Sequence, residues 1–101
     1  MTIKRKQNGT TLNVSVNGRI DTATSPEFEA GIKPHLSGIE SLVIDFAGVN
    51  YVSSAGLREL LSLHKTMMAQ GEMKLVNVNE AVNDVFEVTG FDEILNYEVA
   101  K

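Results

Sequence analysis

The chain has 101 residues, enough for one domain around a single core. With 43% apolar and 22% charged residues it has the composition of a globular domain, which excludes a disordered or fibrous chain. Nine basic against thirteen acidic side chains leave a formal charge of −4, without the broad positive field that holds nucleic acid or an anionic membrane. The absence of cysteine rules out disulfides, iron–sulfur clusters, thiolate zinc sites and a thiol nucleophile.

The first segment, Ile3 to Gln7, is followed by Asn8-Gly9 and then by Thr11 to Val16, where Leu12, Val14 and Val16 alternate with polar residues. That alternation predicts a strand with one buried face. Asn-Gly, the favoured pair of a type I′ turn, predicts an opening β-hairpin. Ser25 as N-cap, Pro26 at the first helical position and the acids Glu27 and Glu29 then predict a helix. It carries Phe28, Ile32 and Leu36 on one face, is weakened by Pro34 and ends at Ser37-Gly38.

Leu42-Val43-Ile44 with Phe46 reads as a central strand covered on both faces. The main helix follows Ser53-Ser54, with Leu57, Leu60, Leu61, His64 and Met68 as its apolar face and Gln70-Gly71 as its end. Met73 to Val78 is a further strand. Asn79 caps a short helix bearing Val82, Val85 and Phe86, which stops at Thr89-Gly90, and Tyr97 to Val99 forms a last edge strand. The order β-β-α-β-α-β-α-β describes one α/β domain over residues 1–101, a mixed, mostly parallel sheet with helices packed on it. No apolar run approaches the roughly 18 residues of a membrane span, and the basic start leads into Gln7-Asn8-Gly9-Thr10 rather than an apolar stretch. No signal peptide is expected, and the cytoplasm is the expected compartment.

In such sheets the loops beyond the carboxyl ends of the strands gather on one edge, where ligands and partners bind. Three loops qualify: Asp21-Thr22-Ala23-Thr24, Ser53-Ser54-Ala55-Gly56 and Asn77-Val78-Asn79. In the second, two serines stand at the positive end of the main helix. From spacing alone two readings hold: one serine is the N-cap, contributing about 1 kcal/mol, or a serine there carries a phosphate, which the helix terminus tolerates. Gly56 in the first turn costs helix stability and suggests that something approaches the backbone closely.

Other constellations yield less. His35 and His64 lack a third ligand at useful spacing, so no metal is expected. Asp45 lies where a response regulator carries its phosphoacceptor, but the acidic pair and the lysine such a site needs are missing. Ser54, His64 and Asp45 make no hydrolase triad, since ten residues of helix put His64 roughly 15 Å from Ser54 and the serine lacks the flanking glycines of a nucleophile elbow. No glycine-rich phosphate loop supports a nucleotide cofactor, and an enzyme is not expected.

At Val52-Ser53-Ser54-Ala55-Gly56-Leu57 the chain resembles STAS domains of the bacterial anti-sigma factor antagonist type. The resemblance extends through Gly18-Arg19-Ile20-Asp21, Leu42 to Phe46, Gly71 to Leu75 and Val85 to Phe91. It implies a partner switch. A serine-kinase anti-sigma factor binds the unmodified antagonist, phosphorylates it at the helix start and so loses it, and a phosphatase resets the cycle. Transcription by a sigma factor responds.

The family motif reads Asp-Ser-Ser/Thr-Gly-Leu. Ser54 matches the modified position, with Ser53 in place of the aspartate as an alternative acceptor, and Ala55 in place of the second hydroxyl residue. The partner-contacting residues so implied are Asp21, Thr22, Thr24, Ser53, Ser54, Ala55, Gly56 and Arg58. STAS domains also serve as unphosphorylated interaction modules and as subunits of signalling or transporter assemblies, which is the alternative expectation.

Overall fold

The computed structural model describes residues 1–101 as one five-stranded sheet with three helices. The strands are β1 (Thr2–Asn8), β2 (Thr11–Asn17), β3 (Ser41–Gly48), β4 (Glu72–Val78) and β5 (Tyr97–Val99). The helices are α1 (Ser25–Ile32), α2 (Ser54–Met68) and α3 (Glu80–Thr89). A 3₁₀ turn over Lys33–His35 continues α1 where Pro34 removes an amide donor. No helix is long and apolar enough to cross a membrane.

The hairpin forms, but one residue later than the Asn-Gly pair suggested. Asn8 still pairs with Thr11, so Gly9 and Thr10 are the central residues. Only Gly9 has a positive φ, of 59°, which is the type II′ pattern rather than type I′.

The strands lie in sequence order. β1 runs antiparallel to β2, and every later pair is parallel. Each parallel step therefore moves one strand the same way, and the right-handedness of crossovers puts α1, α2 and α3 on one side of the sheet. That corrects the expectation for β3. Leu42, Ile44 and Phe46 are buried beneath the helices, whereas Val43 and Asp45 on the other face are only half-covered. Asp45 Oδ1 accepts from the Ala47 amide (2.9 Å) and from Asn77 Nδ2 (3.0 Å), tying β3 to β4 on the open face. Asn77 takes a φ of 57°, where β4 carries one residue more than β5, and this returns Val78 to the core.

The apolar face of α2 also differs from expectation. Leu57 and Leu60 are buried as read, but the stripe continues through Leu63 and Met67, while Leu61 and His64 are half-exposed and Met68 is 69% exposed. Gly56, Leu60, Leu63 and Met67 have the i, i+4, i+7, i+11 spacing of one face. The helix is thus turned so that Gly56, Leu60, Leu63 and Met67 face the interior, with the glycine against Ile20 and Val52.

Between α1 and α2 lies a small polar cluster. Lys33 Nζ donates to Ser62 Oγ (2.6 Å) and lies 3.7 Å from Glu29. Glu59 Oε2 is buried there without a hydrogen-bond partner. Burial, followed by the neighbouring Glu29 carboxyl, holds the Glu59 carboxyl above the usual carboxylate range. A raised acid binds more protons folded than unfolded, so its contribution is fully present below the ordinary glutamate pKa and is lost as pH rises through the raised value. Glu59→Gln is expected to raise Tm at pH 7. The gain shrinks toward zero as pH falls below the ordinary glutamate pKa, checked by thermal melts across that range.

Candidate functional site

The loops beyond β2, β3 and β4 are sewn together by hydrogen bonds. Ile20 and Val52 form a parallel bridge beyond the ends of β2 and β3, with Ile20 N–H donating to Tyr51 O (2.9 Å) and Ser53 N–H to Ile20 O (2.8 Å). From the third loop, Asn79 Nδ2 donates to Val49 O (3.0 Å) while Asn79 Oδ1 accepts from Val82 N–H (2.9 Å), so one side chain both caps α3 and holds the second loop. The three loops are one surface.

Within the first loop the side chains singled out by sequence are engaged in building the loop. Asp21 Oδ1 accepts from the amides of Ala23 and Thr24, both at 3.0 Å. Thr24 Oγ1 donates to Arg19 O (2.5 Å) and accepts from Asp21 N–H (2.9 Å). The helix starts at Ser25, with Thr24 rather than Ser25 in the cap position. Hydrogen bonding from the Thr24 amide, helped by Thr24 Oγ1, the Ala23 amide and Arg19 and opposed by burial, holds the Asp21 carboxyl below the usual range. Thr22 is exposed.

In the second loop the two serines have different places. Ser53 is the N-cap: its backbone is extended, and its Oγ accepts from the Gly56 amide (3.3 Å). Ser54 opens the helix, exposed to solvent, and its hydroxyl makes no hydrogen bond within the chain. Ala55 and Gly56 are buried. A Cβ on Gly56 would lie 2.8 Å from the Ile20 carbonyl oxygen and 2.9 Å from Val52 Cγ1. What approaches this glycine closely is the chain's own Ile20–Val52 bridge. Arg58 is exposed one turn further along α2.

The fold thus brings Asp21, Thr22, Thr24, Ser53 and Ser54 to one edge, with Arg58 beside them on α2. Asp45 points to the open sheet face, bonded to Asn77. No three His, Cys, Asp or Glu side chains are grouped to hold a metal ion. Sequence reasoning passed over Arg19 and Tyr51, which flank the bridge on either side. The Arg19 guanidinium lies 4.2 Å above the Tyr51 ring, and its Nε is 3.6 Å from Asp21 Oδ2. The sequence carried no signal for them, because the Ile20–Val52 bridge that brings them together joins distant segments. Chemically the edge offers an accessible hydroxyl at a helix N-terminus, where a negative group is favoured, on a rigid polar surface.

The STAS domain family model matches residues 2–100. The chain is 33% identical over 78 residues to BtrV of Bordetella bronchiseptica, covering 75% of this chain and 67% of that protein. It is 29% identical over 92 residues to the anti-sigma-B factor antagonist of Bacillus subtilis, covering 90% of this chain and 84% of that one. An anti-sigma factor antagonist from Mycobacterium paratuberculosis superposes with a TM-score of 0.84 at 26% identity, over 95% of this chain and 83% of that chain.

The two serines separate in stability. Ser53→Ala is expected to cost about 1 kcal/mol through the lost cap, whereas Ser54→Ala stays within about 0.5 kcal/mol of the parent. Gly56→Ala is expected to cost about 1–3 kcal/mol by forcing α2 off the bridge. Urea unfolding of the three variants measures all of this.

Proposed function

This chain belongs to the STAS domain family, and on that premise we propose that it is an anti-sigma factor antagonist whose docking is controlled by phosphorylation of Ser54. The observation that carries the proposal is the division of labour between the serines. Ser53 holds the helix cap, which leaves the Ser54 hydroxyl solvent-exposed and free of any structural hydrogen bond.

The partner is an anti-sigma factor with serine-kinase activity, which binds and consumes ATP as the phosphoryl donor, and a phosphatase reverses the modification. Transfer of the terminal phosphoryl group forms a Ser54 Oγ–phosphorus bond, breaks the bond to ADP and releases the hydroxyl proton. Unmodified Ser54 is a small neutral side chain that an interface can cover at little cost. The phosphate brings about 1.5–2 negative charges, which a partner surface built for a hydroxyl cannot desolvate cheaply. At the helix N-terminus the same charge is favourable to this chain, so the fold survives modification and only docking changes. Capture of the anti-sigma factor by the unmodified form frees a sigma factor for transcription.

The test is incubation with the anti-sigma kinase and ATP, followed by mass spectrometry of the modified peptide. Label is expected on Ser54 and absent in Ser54→Ala. Ser54→Ala retains the partner in the presence of ATP, and Ser54→Asp weakens binding by about tenfold or more, roughly 1.4 kcal/mol. Label on neither Ser53 nor Ser54 overturns the switch and leaves an unphosphorylated interaction module.

A further inference from the structure

The rotation of α2 that buries Gly56, Leu60, Leu63 and Met67 leaves an ordered stripe on the opposite side. Ser54, Arg58, Leu61, Lys65 and Met68 follow at i, i+4, i+7, i+11 and i+14, all on the outward face of the helix. Met68 is 69% exposed, and Leu61 is half-covered in a shallow depression of about 400 Å³ lined with Arg58, Ser62, Lys65 and Thr66. The chain forms three ion pairs, Arg19–Asp21, Glu29–Lys33 and Lys74–Glu98, so neither Arg58 nor Lys65 is paired. In a domain of charge −4 this stripe holds two cations, two apolar side chains and no acid, and Ser54 stands at its end.

We infer that this face of α2 is where the anti-sigma factor docks, and that it receives an acidic amphipathic helix of that partner. The inference rests on the Ser54 switch and adds its mechanism. Arg58 and Lys65 are seven residues apart, about 10.5 Å along the axis. A partner helix with carboxylates at heptad spacing and an apolar side chain between them matches both cations and covers Leu61. Met68, flexible and polarizable, accepts the next apolar side chain. Charge complementarity selects this occupant over a second copy of the chain, whose stripe would bring like charges together.

The same geometry couples docking to modification. Ser54 and Arg58 are neighbours at i, i+4 on the helix surface, a spacing within reach of a long side chain. A phosphate on Ser54 takes Arg58 in a charge-assisted pair. The partner's first carboxylate then loses its cation and meets an anion instead. Modification reverses the sign of one end of the stripe.

The binding experiment uses the anti-sigma kinase that labels Ser54. The double reversal Arg58→Glu with Lys65→Glu is expected to weaken binding of the unmodified chain by about tenfold or more, and Met68→Glu to act in the same direction. Lys4→Glu, the same reversal on an exposed residue of β1, stays within about twofold of the parent. Parental affinity in the double reversal, with Ser54→Asp still dissociating, overturns the stripe and leaves the switch standing. A second measurement needs no partner. With phosphoserine installed at position 54 during translation, the second ionisation of the phosphate, followed by ³¹P NMR, is expected at lower pH in the parent than in Arg58→Ala. Equal titration overturns the pairing.

Discussion

One contact between distant segments sets the geometry of the functional edge: the first turn of α2 seated on the bridge between Ile20 and Val52. The bridge prolongs the parallel pairing of β2 and β3 past the ends of both strands, and it works only because Gly56 leaves room for the Ile20 carbonyl. From that seat follow the fully buried position of Ile20, the capping bond from the Gly56 amide to Ser53, and the exposure of Ser54 one residue later. The glycine acts together with Leu60, Leu63 and Met67, which are fully buried on the same face of α2, to set the rotation of the helix. A side chain at position 56 is incompatible with this seat, since its Cβ would lie 2.8 Å from the Ile20 carbonyl oxygen.

The handedness of the crossovers acts at a larger scale. Three right-handed steps in one direction place every helix on one face of the sheet and leave the other face, with Val43, Asp45 and Val76, partly open. The N-termini of α1, α2 and α3 consequently point to the same edge as the loops, and the polar side chains of those loops are spent largely on one another. Asp21 and Thr24 close the first loop and Asn79 ties the third to the second. What remains available for contact is small: Thr22, the Ser54 hydroxyl, the Arg19–Tyr51 stack and the outer face of α2.

That economy suits a binding module regulated by charge. A rigid edge needs no rearrangement to change affinity, since a phosphate at an exposed helix start alters the local field by more than one unit charge while leaving the core untouched. The acidity of the whole chain sharpens the effect. Of the cations near this edge, Arg19 is paired with Asp21, whereas Arg58, one helical turn from the hydroxyl, is in no ion pair.

Much of this fold was legible in the residues themselves. The alternation of Leu12, Val14 and Val16, the caps at Ser53 and Asn79, and the β-α succession define an α/β domain with its loops on one edge, and the motif around Ser54 points to the family. These features are local, carried by the period of a strand or helix and by hydrogen bonds within a few residues. The tertiary structure decided the matters in which α2 had two defensible answers. Leu61 with Met68 and Leu63 with Met67 both make an apolar stripe with Leu57 or Leu60, and either serine is a competent cap. The choice fell to tertiary packing, in which Gly56 fits against Ile20, 36 positions away in the chain, and Leu60, Leu63 and Met67 fill the same buried face, because close packing between distant segments discriminates at the scale of a single methyl group where periodicity does not.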